Sequence, residues 1–79
     1  MDRRLSEIEV GKTVVIKSIE KDDIFLKLME MGCVPGETIL IDRIAPLGDP
    51  ISILVAGYYL SLRLNEAKNI WVEEKFKTP

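Results

Sequence analysis

Histidine is absent, cysteine occurs once, and aromatics are scarce: two Tyr, two Phe and one Trp among 79 residues. Each shortage closes off chemistry. Without imidazole there is no His ligand for a metal and no imidazole acid or base. One cysteine makes no internal disulfide, so a reducing, cytoplasmic setting is expected rather than a small secreted scaffold. Serine and cysteine nucleophiles lack a histidine to activate them, and no carboxylate pair stands out. Neither enzyme activity nor any catalytic residue is therefore expected. Excess positive charge is missing too: 11 basic against 13 acidic residues leave a formal charge of −2. Nucleic-acid binders cluster Lys and Arg to neutralise phosphates, so no nucleic-acid partner is expected. The longest apolar run, Ile53 to Leu60 counting Gly57, is eight residues, against the roughly 20 that a membrane-spanning helix needs. The start, Met1-Asp2-Arg3-Arg4, turns polar again at Ser6, unlike a signal peptide. Membrane insertion is not expected, although service to a membrane protein from the cytosolic side is compatible with all of this.

What is present suits strands. Ten Ile and six Val outnumber nine Leu, and β-branched side chains favour a pleated, half-buried surface. Leu5 to Gly11 has the pattern of one helical turn, with Ser6 and Glu9 at capping-box spacing and Leu5 with Val10 as a staple. Strands are expected at Thr13–Ile19, Thr38–Ile44, Ile51–Ala56, Tyr59–Leu64 and Ile70–Val72. Asp22 or Asp23 caps a helix from about Ile24 to Met31, and Gly32 stops it. Val34-Pro35-Gly36-Glu37 has the proline and glycine of a type II turn. Pro46 to Pro50 is a loop, Gly57 a tight turn, and Asn65 to Asn69 a single turn capped by Asn65. Five short strands with one inserted α-helix and short helical turns specify an all-β, SH3-like five-stranded barrel, which removes exposed edges. Residues 1–74 form this one domain, and 75–79 a flexible tail. Trp71, alternating between Ile70 and Val72, belongs in the core.

Two motifs carry no chemistry of their own. Ser6 to Thr13 imitates a phosphate-binding loop, but it feeds a strand where such a loop must open a helix. Glu20, Asp22 and Asp23 cluster, yet they stand where helix capping needs them, and carboxylates alone suit hard cations. Cys33, just past the helix stop, packs as a small apolar group. No resident cofactor and no metal ligand set is expected, with at most weak binding of Fe(II) or another transition metal.

The helix is the most informative surface. At about 100° per residue, Ile24, Phe25, Leu26, Leu28, Met29 and Met31 cover an arc of roughly 220°. One packing face needs an apolar stripe of little more than about 100°. Either loops cover the excess, or it docks a partner, a use to which adaptable methionines are suited. The docking reading assigns partner contacts to Phe25, Leu26, Met29 and Met31, with Leu47 in the proline-flanked loop as a second contact. Tyr58 and Tyr59 point to opposite faces of their strand, and a third reading gives them an extended peptide.

Leu28-Met29-Glu30-Met31-Gly32, Pro35-Gly36, Ala45-Pro46-Leu47-Gly48-Asp49-Pro50, Gly57-Tyr58, Leu62-Arg63 and Glu66-Ala67 occur in this order, after Leu5-Ser6 and Gly11. Together, over residues 5 to 73, they resemble the ferrous iron transport protein A family, FeoA. The resemblance implies a small cytosolic SH3-like protein that assists the membrane permease FeoB, whose cytosolic region carries a GTP-binding domain. It also implies kinship with the C-terminal SH3-like domain of iron-dependent repressors of the diphtheria toxin repressor class, and transition-metal binding. The expectation is an accessory or regulatory protein of ferrous iron uptake that docks on the cytosolic part of an FeoB-type permease and forms at most a weak homo-oligomer. The alternative is a transition-metal sensor or metallochaperone.

Overall fold

Strand β2 (Thr13–Ile19) illustrates how the pattern becomes structure: Val14, Ile16 and Ile19 are buried while Lys17 and Ser18 face solvent. The same alternation recurs in β3 (Thr38–Ile44), β4 (Ile51–Val55) and β6 (Ile70–Glu74), whereas β5 (Tyr58–Leu62) buries only Leu62 fully. In the computed structural model, which describes residues 2–75, these strands join a two-residue strand β1 (Arg3–Arg4) in one antiparallel sheet of order β1-β6-β2-β3-β4-β5. The sixth strand was not expected, because two arginines carry no strand pattern. It exists because β6 offers its backbone in register, Arg3 opposite Val72 and Arg4 opposite Trp71. Bulges at Ile16/Ser18 and Ile41/Arg43 bend β2 and β3, as curling a small sheet requires. The sheet ends β1 and β5 meet through helical turns rather than a ladder. The 3₁₀ turn Leu5–Glu7 after β1 packs on helix α2 (Leu64–Ala67), which follows β5.

The core holds Leu5, Val14, Ile16, Leu28, Cys33, Ile39, Ile41, Ile53, Leu62, Ile70 and Val72, among others, all essentially sealed from solvent. Helix α1 (Phe25–Glu30) inserts Leu28 into it.

Several local expectations need correction. The first turn is closed by Glu7, whose Oε1 accepts the Arg4 N–H at 3.2 Å, and not by a Ser6–Glu9 box. Val10 is exposed and staples nothing. Arg63, not Asn65, stands at the N-cap of α2. Its own N–H donates to Glu66 Oε1 at 2.8 Å, and the Leu64 N–H donates to Asp49 Oδ1 at 3.0 Å. The turn between β4 and β5 uses Ala56 and Gly57, both at positive φ (51° and 85°), as a two-residue primed turn demands. Trp71 is half-buried on the outer surface, not in the core. Its indole N–H donates to Glu20 Oε2 at 3.0 Å, and the Arg4 guanidinium stacks 4.5 Å from the ring. Ile70 and Val72 take the buried face of β6, so strand alternation turns the ring to the other face, where the β1–β6 register sets Arg4 opposite it. The tail expected over 75–79 falls, beyond Lys75, outside the described residues.

Candidate partner-docking surface

Helix α1 is short, and its placement is set at both ends. Asp22 Oδ1 accepts the Ile24 N–H at 3.0 Å and the Asp22 carbonyl accepts the Phe25 N–H, so the aspartate forms the turn that leads into the helix, but the N-cap is Ile24, without a side-chain cap, and not an aspartate as expected. Its stop is a Schellman arrangement: Cys33 N–H donates to Leu28 O at 3.0 Å and Gly32 N–H to Met29 O at 3.1 Å. Gly32 sits at φ +99°, where a side chain is strained. The Tyr58 hydroxyl also donates to the Met31 carbonyl and occupies the place a Cβ on residue 32 would need. At the other side, Lys27 Nζ lies 2.8 Å from Glu66 Oε2. Glu66 is the one buried charged residue among those described. Burial pushes its carboxyl up, but the Lys27 ammonium and the Arg63 N–H stabilise the charged form and hold it below its ordinary 4.5. The Lys27–Glu66 tie escaped sequence reasoning, since nothing in either residue's neighbourhood announces the other.

The expected docking residues divide. Phe25, Met29 and Met31 are half-buried against the core cluster, beside Leu28, which is fully buried and is not among them. Leu26 projects outward, 70% exposed. Leu47 is 96% exposed on a loop that is itself well fastened. Gly48 N–H donates to Ala45 O at 2.7 Å, Ala45 N–H to Pro50 O at 3.1 Å, and Asp49 holds both the Leu64 N–H and, at 3.5 Å, the Arg63 guanidinium. Asp49 thus binds the loop to the start of α2, while Glu66 of α2 binds α1. The two exposed leucines belong to one hydrogen-bonded assembly.

The tyrosines do point to opposite faces. Tyr58 is engaged by Met31, and Tyr59 lines a shallow concavity of 560 Å³ on the outer sheet face with Asp42, Arg43, Ala45, Pro50, Ser52 and Ser61. For a transition metal the donors do not fit. Among the described residues no three of His, Cys, Asp and Glu come together. The Cys33 thiol is buried, and burial, then the Glu66 charge, push its pKa up to about 11. A thiol so placed stays protonated and is a poor ligand. Among the described residues, no helix is long and apolar enough to cross a membrane.

A curled antiparallel sheet of six strands with one inserted helix defines a small SH3-like domain. The FeoA domain model matches residues 3–74, and the chain belongs to the FeoA domain family. A Porphyromonas gingivalis protein, a fusion of Fe(2+) transport protein A with the Fe(2+) transporter FeoB, is 42% identical over 71 residues, 89% of this chain. The chain spans only 8% of that relative's length. An FeoA-like protein from Clostridium acetobutylicum superposes with a TM-score of 0.91 at 39% identity, covering 99% of this chain and 92% of its own. Stenotrophomonas maltophilia FeoA, solved with zinc and described as an SH3 domain protein, gives 0.76 at 31% identity over 87% of each chain. The family is associated with ferrous iron transport.

Proposed function

We propose that this chain is a non-enzymatic, cytoplasmic accessory of ferrous iron uptake that docks on the cytosolic region of an FeoB-type transporter. Leu26 and Leu47 are the anchors. Phe25, Met29 and Met31 hold α1 on the core and add their remaining exposed surface. The observation that carries this reading is the pair of exposed leucines on elements fastened by hydrogen bonds, which a partner would meet already ordered. The P. gingivalis fusion supports it, because there the two partners share one polypeptide. Docking would bias the transporter between states by its difference in affinity for them.

The test is calorimetric binding to the isolated cytosolic region of an FeoB-type transporter. Wild type should bind. Leu26→Glu with Leu47→Glu should fold, by its amide NMR spectrum, and bind at least about tenfold more weakly, a loss of about 1.4 kcal/mol. Unchanged binding by the folded variant would exclude this surface. The metal-sensor reading predicts instead saturable, site-specific shifts near Asp22, Asp23 or Cys33 at micromolar Fe(II).

A further inference from the structure

The two ends of the sheet are built differently. The β1 edge is two residues long and both are arginines. That is a guarded edge: short and charged. The β5 edge, Tyr-Tyr-Leu-Ser-Leu, has five residues, no charge, no proline and no bulge against β4. Its alternation follows from the two-residue turn at Ala56-Gly57. Val55 and Tyr58 flank the turn and bond each other, so Leu60 and Leu62 also bond back to β4. The N–H and C=O groups of Tyr59 and Ser61 therefore point away from the sheet. Among the described residues neither a backbone group nor a side chain pairs with them, and both residues are exposed.

We infer that β5 is a self-pairing edge, at which two copies of this chain join antiparallel about a two-fold axis through Leu60. The occupant follows from the register. Centred on Leu60, the pairing sets Tyr59 opposite Ser61 of the second copy and Ser61 opposite its Tyr59, so all four outward groups on each strand find partners in a narrow hydrogen-bonded geometry. Half-buried Leu60, on the core-facing side and packed at its margin, meets its own copy at the close, non-hydrogen-bonded position, and its remaining apolar surface leaves water. On the outer face each Tyr59 ring lies beside a serine. No charge stands opposite a like charge: the nearest, Arg63, falls opposite Gly57 of the second copy and is already bound to Asp49. The self-complementarity is what a two-fold contact requires. The contact is a single short strand pair, at the small end of specific interfaces, so association should be weak and concentration-dependent. This inference does not depend on the transporter reading, since it uses neither Leu26 nor Leu47.

The experiment is NMR of the whole chain from about 20 µM to about 2 mM, a range in which mass action moves a weak dimer from scarce to dominant. Translational diffusion should slow with concentration, and the Tyr59 and Ser61 amides should gain exchange protection while edge amides of β1 do not. Tyr59→Lys with Ser61→Lys sets like charges against one another and should stay monomeric. Its mixture with Tyr59→Glu/Ser61→Glu should pair again. If the double variants fail to fold, Ser61→Lys alone carries the comparison. Monomeric diffusion at every concentration would overturn the inference. So would a dimer whose Tyr59 and Ser61 amides stay unprotected, or a folded lysine variant that pairs as tightly as wild type. Protection of those amides only on addition of a transporter's cytosolic region would assign the edge to that partner instead.

Discussion

Leu26 and Leu28 stand two residues apart on one six-residue helix, and solvent sees them oppositely: Leu28 is 0% exposed and Leu26 70%. The helix is thus two regions with separate duties. Its inner side is fixed by burial of Leu28, the Schellman stop, the Tyr58 hydroxyl and the Lys27–Glu66 tie. Its outer side, where Leu26 stands exposed near Glu30, contributes little to the fold. A single apolar side chain in water is ordinary on a folded protein, so it is a binding measurement, set beside a stability measurement, that gives the outer side its role. The comparison predicts that changes on the inner side appear in stability, and changes on the outer side only in binding.

The largest break should come at Leu28. Leu28→Ala deletes a fully buried side chain and leaves a cavity, at a cost of about 2–5 kcal/mol, enough to remove much of the stability of so small a domain. Urea unfolding measures it. Cys33 reports the same event: buried and protonated, with its thiol pushed up to about 11, it should react with a thiol reagent at pH 8 only when the core opens. Leu28→Ala should raise that rate together with the loss of stability. Gly32→Ala comes next, at about 1–3 kcal/mol, because alanine is strained at φ +99° and its methyl meets the Tyr58 hydroxyl. Adding Tyr58→Phe should recover part of the cost by removing that oxygen. No recovery would mean that backbone strain alone sets the requirement for glycine.

The inner side was legible in part. Gly32 as the stop, Pro35-Gly36 as a turn and the alternation of Val14 with Ile16 all follow from local rules, and the structure holds them. Glu37 N–H donates to Val34 O at 3.1 Å, as the type II turn requires. What local rules miss is long-range. Which face of β6 meets the core is fixed by the fold: Ile70 and Val72 take it, so alternation turns Trp71 outward. Arg4 and Glu20, brought alongside by sheet register, hold the ring there. Strand β1 has no pattern of its own and borrows one from β6. The cap of α2 draws on Asp49, from the loop before β4. For the docking surface, the width of the apolar arc on α1 was visible in the residues, but which margin stays wet depends on where the helix is moored. That is decided by Tyr58 and Glu66, both distant in sequence.

A smaller effect is expected at the Lys27–Glu66 tie, and pH exposes it. The Glu66 carboxyl is held below 4.5 in the folded chain, so its ionisation adds stability above the ordinary carboxylate range. That stability is lost as pH falls through the lower folded value. Lys27→Met removes the nearby cation and leaves a buried carboxylate with only the Arg63 N–H. It should cost about 1–2 kcal/mol at pH 7 and flatten the decline of stability below pH 4.5. Unfolding midpoints from pH 7 to pH 3 for both proteins test this. An equally steep acid limb in the variant would mean that another carboxylate controls it.

The smallest stability effect belongs to Leu26, and it is the sharpest probe of the comparison. Leu26→Glu puts a charge where the fold already leaves the side chain in water, so the unfolding free energy should change by less than about 0.5 kcal/mol. A charge at the centre of a desolvated contact is costly because it enters unpaired. Binding to a transporter's cytosolic region should therefore fall while thermal unfolding stays where it was. If stability drops as well, the outer side of α1 is part of the core after all, and the division between the two sides of the helix fails. If neither quantity moves, Leu47 is left as the remaining exposed anchor, and the same measurement on Leu47→Glu locates the contact on the loop that Asp49 fastens rather than on the helix.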